Sequence, residues 1–288
     1  MSVEQFDKCI RYISNTYTVK LFEELITSEN NYQNHQNNIA TIMFDDGYKD
    51  NIEFALPILK KYNVKASFYV VTECIDKNIP TWTYILEYLF QFTSVVNINM
   101  DFNFLPSNFR ISQLHNYQER INYVRKLKPL LKTLPHYNQQ LVLKRVTDTY
   151  NDVELPKLMM NWDDLRKLKS EGHYIGSHTV THSMLGTMSK EEDILSELTL
   201  SGKRIEEELD YFPISISYPV GSFNQLTKEL SKKAGYKLGL AVKQKIHTPL
   251  TEDLFEISRI ELYNEPWWKT RLRISNTLEK IKSLIGYR

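Results

Sequence analysis

Two adjacent carboxylates and two histidines four residues apart carry the strongest chemical suggestion in this 288-residue chain. Asp45 and Asp46 end a mostly apolar run, residues 39–44, and stand before Gly47. Neighbouring side chains at a strand end point in different directions, so one can bind a cation while the other faces a substrate. Asp-Asp-Gly is also ordinary turn chemistry, and the pair taken alone reads as a turn. Its partners change that reading. His178 and His182 fall on one face if the chain turns helically after a strand. A lone histidine is more often a core or surface residue, but two at this spacing, joined by Asp46, make a ligand set for one divalent ion. Three protein ligands leave coordination positions open, as catalysis requires. Zinc is the first expectation, and cobalt or nickel would suit the same donors. Such an ion polarises an acyl carbonyl and lowers the pKa of water to about 7, while a carboxylate at hydrogen-bond distance takes the proton. Asp45 is placed for that second task. A backbone N–H can serve the developing oxyanion without a further charged residue.

Positioning these groups requires several strand ends at one place. The run 39–44 reads as a buried parallel strand, followed by a helix over about 50–62 and a second strand over 66–71. Residues 162–172 have helical spacing and stop at Gly172, before a strand over 173–177. Ser189 with Glu192 has the spacing of a capping box ahead of Ile194, Leu198, Ile205 and Leu209, and a strand over 214–218 follows. This alternation predicts an α/β fold whose loops converge on one face of a parallel barrel. The stretch of about 76–160 breaks the rhythm and reads as a helical insertion over the barrel mouth. Its Trp82, Tyr84 and Tyr88 could stack on sugar rings, but aromatics at helical spacing are more often core, and core is the reading adopted here.

Composition narrows the function classes. With 42% hydrophobic residues the chain can bury a sizeable core, and 36 basic against 35 acidic residues create no field that would gather nucleic acid or acidic membrane. A neutral or weakly charged substrate is expected. Cys9 and Cys74 are too few for a disulfide framework and read as packed thiols. Neither a secretory leader nor a run of apolar residues long enough to span a membrane is present, so the expectation is a cytoplasmic protein, with an upstream segment left open.

On these residues the chain resembles the polysaccharide deacetylases, the NodB-type carbohydrate esterases of carbohydrate esterase family 4. Phe44-Asp45-Asp46-Gly47 matches the first motif of that family, and His178-Thr179-Val180-Thr181-His182 the second. The resemblance implies Asp45 as base and Asp46, His178 and His182 as metal ligands. It implies one distorted (β/α) barrel of seven strands over residues 1–288, with the insertion inside it. The implied activity is metal-dependent removal of an N-acetyl group from an amino sugar in a glycan or glycan precursor. An O-acyl esterase, an amidase for another small acyl group on an activated sugar, and a catalytically silent glycan-binding barrel are the alternatives.

Two departures stand out. The third family motif, Arg-Pro-Pro-Tyr/Phe-Gly, aligns with Ser217-Tyr218-Pro219-Val220-Gly221, which lacks the arginine and has Val220 at the aromatic position, although a Val220 backbone N–H could still serve the oxyanion. The closing Leu-x-x-His motif has no counterpart, and His247 reads as an exposed loop residue. Arg259 resembles an arginine of some branches of the family and could hold Asp45 by a bidentate bond; a surface ion pair is the equal alternative. Asp163, after Trp162, reads as a helix cap.

Overall fold

The computed structural model describes residues 1–27, 38–247 and 253–278. Six short strands, Met43–Phe44, Ser67–Val70, Tyr174–Ser177, Ser215–Ser217, Leu238–Val242 and Ile257–Arg259, lie side by side in chain order and are all parallel. Parallel neighbours need crossovers, and helices such as Leu56–Lys61, Trp162–Ser170, Glu191–Leu209 and Gln225–Lys233 supply them. The result is the winding of a (β/α) barrel. The run expected as one strand over 39–44 is broken: Ile39–Ala40 pairs with Thr18–Val19, whereas Met43–Phe44 pairs with Ser67 and Phe68. Counted as one bent strand, it carries the pairing through seven strands. Among the described residues no pairing joins Thr18–Val19 to Ile257–Arg259, so the barrel is open between them.

Alternation along the strands divides inside from outside. Phe68, Val70 and Ile175 face the helices and join the largest apolar core with Leu59, Leu165 and Leu168. Tyr69, Leu238, Leu240 and Ile257 pack instead with Phe22 and Leu25 of the helix Phe22–Thr27. Glu23 of that helix buries its carboxylate and accepts from the hydroxyls of Ser67, Tyr69 and Ser215. The Tyr69 ring lies where a Cβ on Gly176 would stand, only 2.4 Å away, so this strand position must be glycine.

The insertion is helical, as expected, with Trp82–Phe92, Tyr117–Leu131 and His136–Thr149 packed around their own core of Leu86, Phe90, Val124, Leu127, Val142 and Val146. It also contains an unforeseen antiparallel pair, Asn97–Asn99 with Ile111–Gln113. Two expected caps are corrected. Lys190, not Ser189, precedes the helix Glu191–Leu209, and no side chain caps it; Glu191, Glu192 and Asp193 complement the positive end of the helix dipole instead. Asn161 and Asp164 form the capping box of Trp162–Ser170, while Asp163 pairs with Arg166. Cys9 and Cys74 are buried free thiols. Among the described residues no helix is long and apolar enough to cross a membrane.

His173, buried beside Phe68, accepts a hydrogen bond from the Ala66 N–H through Nδ1 and therefore needs that nitrogen unprotonated. Burial, reinforced by Lys65, lowers its pKa from the usual 6.5 to about 4. The unfolded chain thus takes up a proton before the folded one, so stability falls as pH drops from about 6.5 towards 4, by on the order of 3 kcal/mol at most. Urea unfolding should show the wild type losing stability relative to His173→Gln across that window. A difference between the two that did not change with pH would contradict a neutral, buried imidazole.

Candidate metal and catalytic site

Parallel strands bring their C-terminal ends to one side, and there Asp45 and Asp46 follow Phe44, His178 follows Ser177, and Arg259 ends its own strand. Asp46 Oδ1 lies 3.4 Å from His178 Nε2 and 3.3 Å from His182 Nε2. One ligand atom from each of the three residues falls within 4.8 Å of the others. His178 Nδ1 is 2.7 Å from the Ser217 carbonyl, which can only accept, so Nδ1 carries the proton and Nε2 turns its lone pair inward. Lone pairs converging on one point demand a positive charge between them, either a proton or a cation. Burial works against ionisation of Asp46, yet the two imidazoles outweigh it and hold its carboxyl well below the usual range. Burial likewise lowers the His178 pKa, but Asp45 and Asp46 bring it above its usual value. Two imidazoles and a carboxylate are the donor set of a divalent transition metal.

The expected helical turn between the two histidines is absent. Left-handed backbone at Thr179 (φ 69°) and His182 (φ 61°) folds the loop back instead, and Asp46 has the same hand at φ 74°. Such conformations persist only when their surroundings fix them. Here the anchors are many. The His178 N–H donates to the Val70 carbonyl, and the first N–H groups of the helix Thr72–Lys77 donate to the Thr179 and Val180 carbonyls. The Trp82 indole donates to the His182 carbonyl at 3.1 Å. Glu197, from the helix behind the loop, accepts the Val180 and Thr181 N–H groups at 2.9 and 3.0 Å and also takes the Thr181 and Ser183 hydroxyls.

Asp45 has different company. Arg259 donates Nη1–H to Oδ1 at 3.0 Å and Nη2–H to Oδ2 at 2.9 Å, a two-pronged ion pair rather than a surface one, since the arginine side chain is 12% exposed. Burial alone would raise the Asp45 pKa, but Arg259, together with His178, more than offsets it and the carboxyl is held below its usual range. Nη2 also donates to the Ser217 hydroxyl at 2.8 Å. Ser217 holds the place of the arginine in the third motif, and its short side chain leaves room for a guanidinium that arrives from another strand. Asp45 keeps 31% side-chain exposure, which leaves it open to a small molecule.

Val220 lies in the tight turn Pro219–Gly221, itself left-handed at φ 58°, and among the described residues nothing accepts its N–H. His247 is half-buried, with its ring edge-on to Phe22, rather than an exposed loop residue. Sequence reasoning did not identify Glu197, Trp82 or Ser217 as supports of this site. Only Ser217 left a trace, as a departure from a motif.

The profile described as polysaccharide deacetylase matches residues 32–239. The chain belongs to the polysaccharide deacetylase family. A curated relative, YxkH of Bacillus subtilis (strain 168), assigned as a polysaccharide deacetylase, is 21% identical over 202 residues, which are 70% of this chain but 44% of that protein. The chain therefore corresponds to less than half of the relative's length. Among solved structures, the Streptococcus pyogenes deacetylase PplD in complex with acetate is 18% identical, covering 96% of this chain and 85% of its own, with a TM-score of 0.59. A de-N-acetylase from Aggregatibacter actinomycetemcomitans, 18% identical over 91% of this chain and 85% of its own, has a TM-score of 0.58. IcaB from Ammonifex degensii is 14% identical over 95% of this chain and 89% of its own, also at 0.58. At these identities the likeness is one of fold, and it agrees with the α/β barrel that the sequence suggests.

In this deacetylase-family chain Glu197 touches neither histidine side chain, yet it fixes the loop between them. Partners one layer behind metal ligands typically matter 10–100-fold in affinity. Glu197→Gln should therefore weaken Co2+ binding by roughly that factor while the fold is kept, as read by cobalt absorption titration and circular dichroism. Unchanged affinity would show that the loop holds its shape without the carboxylate.

Proposed function

We propose that this chain removes an N-acetyl group from an amino sugar of a glycan or glycan precursor by metal-assisted hydrolysis. The observation that carries the proposal is the division of labour between two neighbouring aspartates, Asp46 turned to a pair of imidazoles and Asp45 clamped by an arginine. A divalent cation held by Asp46, His178 and His182, with zinc as the first choice, would polarise the acyl carbonyl and make water more acidic. Asp45 is ionised at neutral pH and ready to accept a proton. Each of its oxygens takes one bond from Arg259 and keeps a second lone pair for water. Arg259 fixes the plane of that carboxylate, so its free lone pairs stay aimed while a substrate arrives.

Water adds to the acyl carbon as Asp45 takes its proton, the C–N bond breaks, and the proton ends on the departing amine, leaving acetate and a free amino sugar. The unclaimed Val220 N–H supports a main-chain donor to the oxyanion, a role that does not depend on the side chain at that position. The membership in a deacetylase family supports the same reaction class.

The test is acetate release from N-acetylated and O-acetylated sugars, with and without a chelator, combined with metal analysis of variants. The N-acetyl substrates should be consumed and the chelator should stop the reaction. Asp45→Asn should keep the metal and lose turnover by about 10²–10⁴-fold, the range for a missing general base. Asp46→Asn should lose the metal as well. Arg259→Met should resemble Asp45→Asn more mildly and add little to it in the double variant, because the two act as a unit. If Asp45→Asn lost its metal while Asp46→Asn kept both metal and activity, the two roles would be reversed.

A further inference from the structure

Four aromatic rings form a row that leads away from the candidate metal site. Tyr48, two residues after Asp46, has its ring centre 5.9 Å from that of Tyr84; Tyr84 lies 5.7 Å from Tyr88, and Tyr88 lies 4.5 Å from Phe92. Tyr84, Tyr88 and Phe92 are spaced i, i+4, i+8 on the helix Trp82–Phe92 and so share one face, which extends about 12 Å along the helix axis. The opposite face of the same helix, with Leu86, Leu89 and Phe90, fills the insertion's core. The core reading of Tyr84 and Tyr88 is therefore corrected: neither they nor Phe92 join an apolar core, and Phe92 is 55% exposed.

Tyr48 ties the row to the site. Its ring packs on the barrel core, and its hydroxyl is 3.0 Å from the Thr81 hydroxyl at the start of the insertion helix.

We propose that Tyr84, Tyr88 and Phe92 form a binding platform for a glycan chain, each ring lying against one of about three consecutive sugars, while Tyr48 joins this platform to the candidate metal site, where a further sugar is presented. The proposal rests on the deacetylase reading above and narrows its substrate to an extended glycan rather than a single activated sugar. Pyranose rings have C–H faces that pack on aromatic rings and hydroxyls that bond to phenol tips, and three of the four rings are tyrosines. The Tyr84 and Tyr88 rings stack within 19° of parallel with centres 5.7 Å apart, the spacing of an offset pair in which each ring covers only part of the other. Along the insertion helix the flank is neutral, since Glu87 is paired with Lys128 and the adjoining polar residues are Thr83 and Gln91. A nucleic acid strand also stacks on aromatics, but it requires a cationic groove for its phosphates. A flat protein partner would not need a row aligned with the site.

The experiment is calorimetric titration of the chelator-treated full chain with N-acetylglucosamine oligomers from monomer to hexamer, alongside sedimentation of each protein alone. Stripping the metal separates binding from turnover. For the wild type, affinity should climb with length by about three- to tenfold per added sugar up to about four sugars and then level off. The Tyr84→Ala/Tyr88→Ala double variant should retain its circular dichroism and metal capacity, because both side chains lie outside the cores, and should lose most of the length dependence. Tyr84→Phe/Tyr88→Phe should keep most of it. Absence of binding by any oligomer, equal affinity for monomer and hexamer, or an unaltered length dependence in the alanine variant would overturn the proposal. So would a dimer of the wild type that the alanine variant abolishes, since the row would then be an interface between copies. Length-dependent binding without acetate release from any sugar would uphold the platform and count against the deacetylase reading. Acetate release that favours no chain length and is insensitive to the tyrosines would do the opposite.

Discussion

Three lone pairs from Asp46, His178 and His182 aim at one point, and the architecture around them exists to tolerate that repulsion. Left alone, such groups would turn apart towards water. They are prevented by left-handed backbone at Asp46, Thr179 and His182, by the Ser217 carbonyl that fixes one imidazole, and by a loop tied to a strand, two helices and an indole. Burial strengthens the effect, because charge in a low-dielectric pocket attracts a counter-charge more strongly than charge in water. The strain is thus held by many ordinary bonds, none of which needs to be strong.

The neighbouring carboxylate is kept out of that arrangement by a second one. Arg259 neutralises Asp45, so two adjacent acids can both be ionised without sharing a proton. The guanidinium reaches Asp45 from the edge of the sheet across the position of Ser217. A curled sheet makes such a substitution available, because several strand ends surround one pocket and a charge lost from one can be supplied from another.

Most of the candidate site was legible in the sequence because its signals are local. Asp45-Asp46-Gly47 and the two histidines are each a few residues long, and the strand runs that place them are apolar and short. The supports were not legible, since each joins distant positions. Glu197 meets a loop 14 to 17 residues before it, and Trp82 bonds to a carbonyl 100 residues later. The helical turn expected between His178 and His182 failed because tertiary anchors outweighed local spacing. The Ser189 cap failed because the helix begins two residues later, where three acids already complement its dipole. The strand over 39–44 was read correctly as apolar, but no sequence pattern shows that its two halves find different partners. Aromatics at helical spacing misled as well, because periodicity states that a face exists and not what covers it.

The insertion has a core of its own, separate from that of the barrel. Segments with independent cores tend to open and close as independent cooperative units, at a free energy below that of global unfolding. Hydrogen bonds such as those of Trp82 to His182 and Tyr48 with Thr81 link this unit to the residues around the candidate metal site. An opening that broke both would release the His182 carbonyl and the first ring of the aromatic row at the same moment. Amide protection within the insertion and the residence time of whatever occupies the pocket would then rise and fall together.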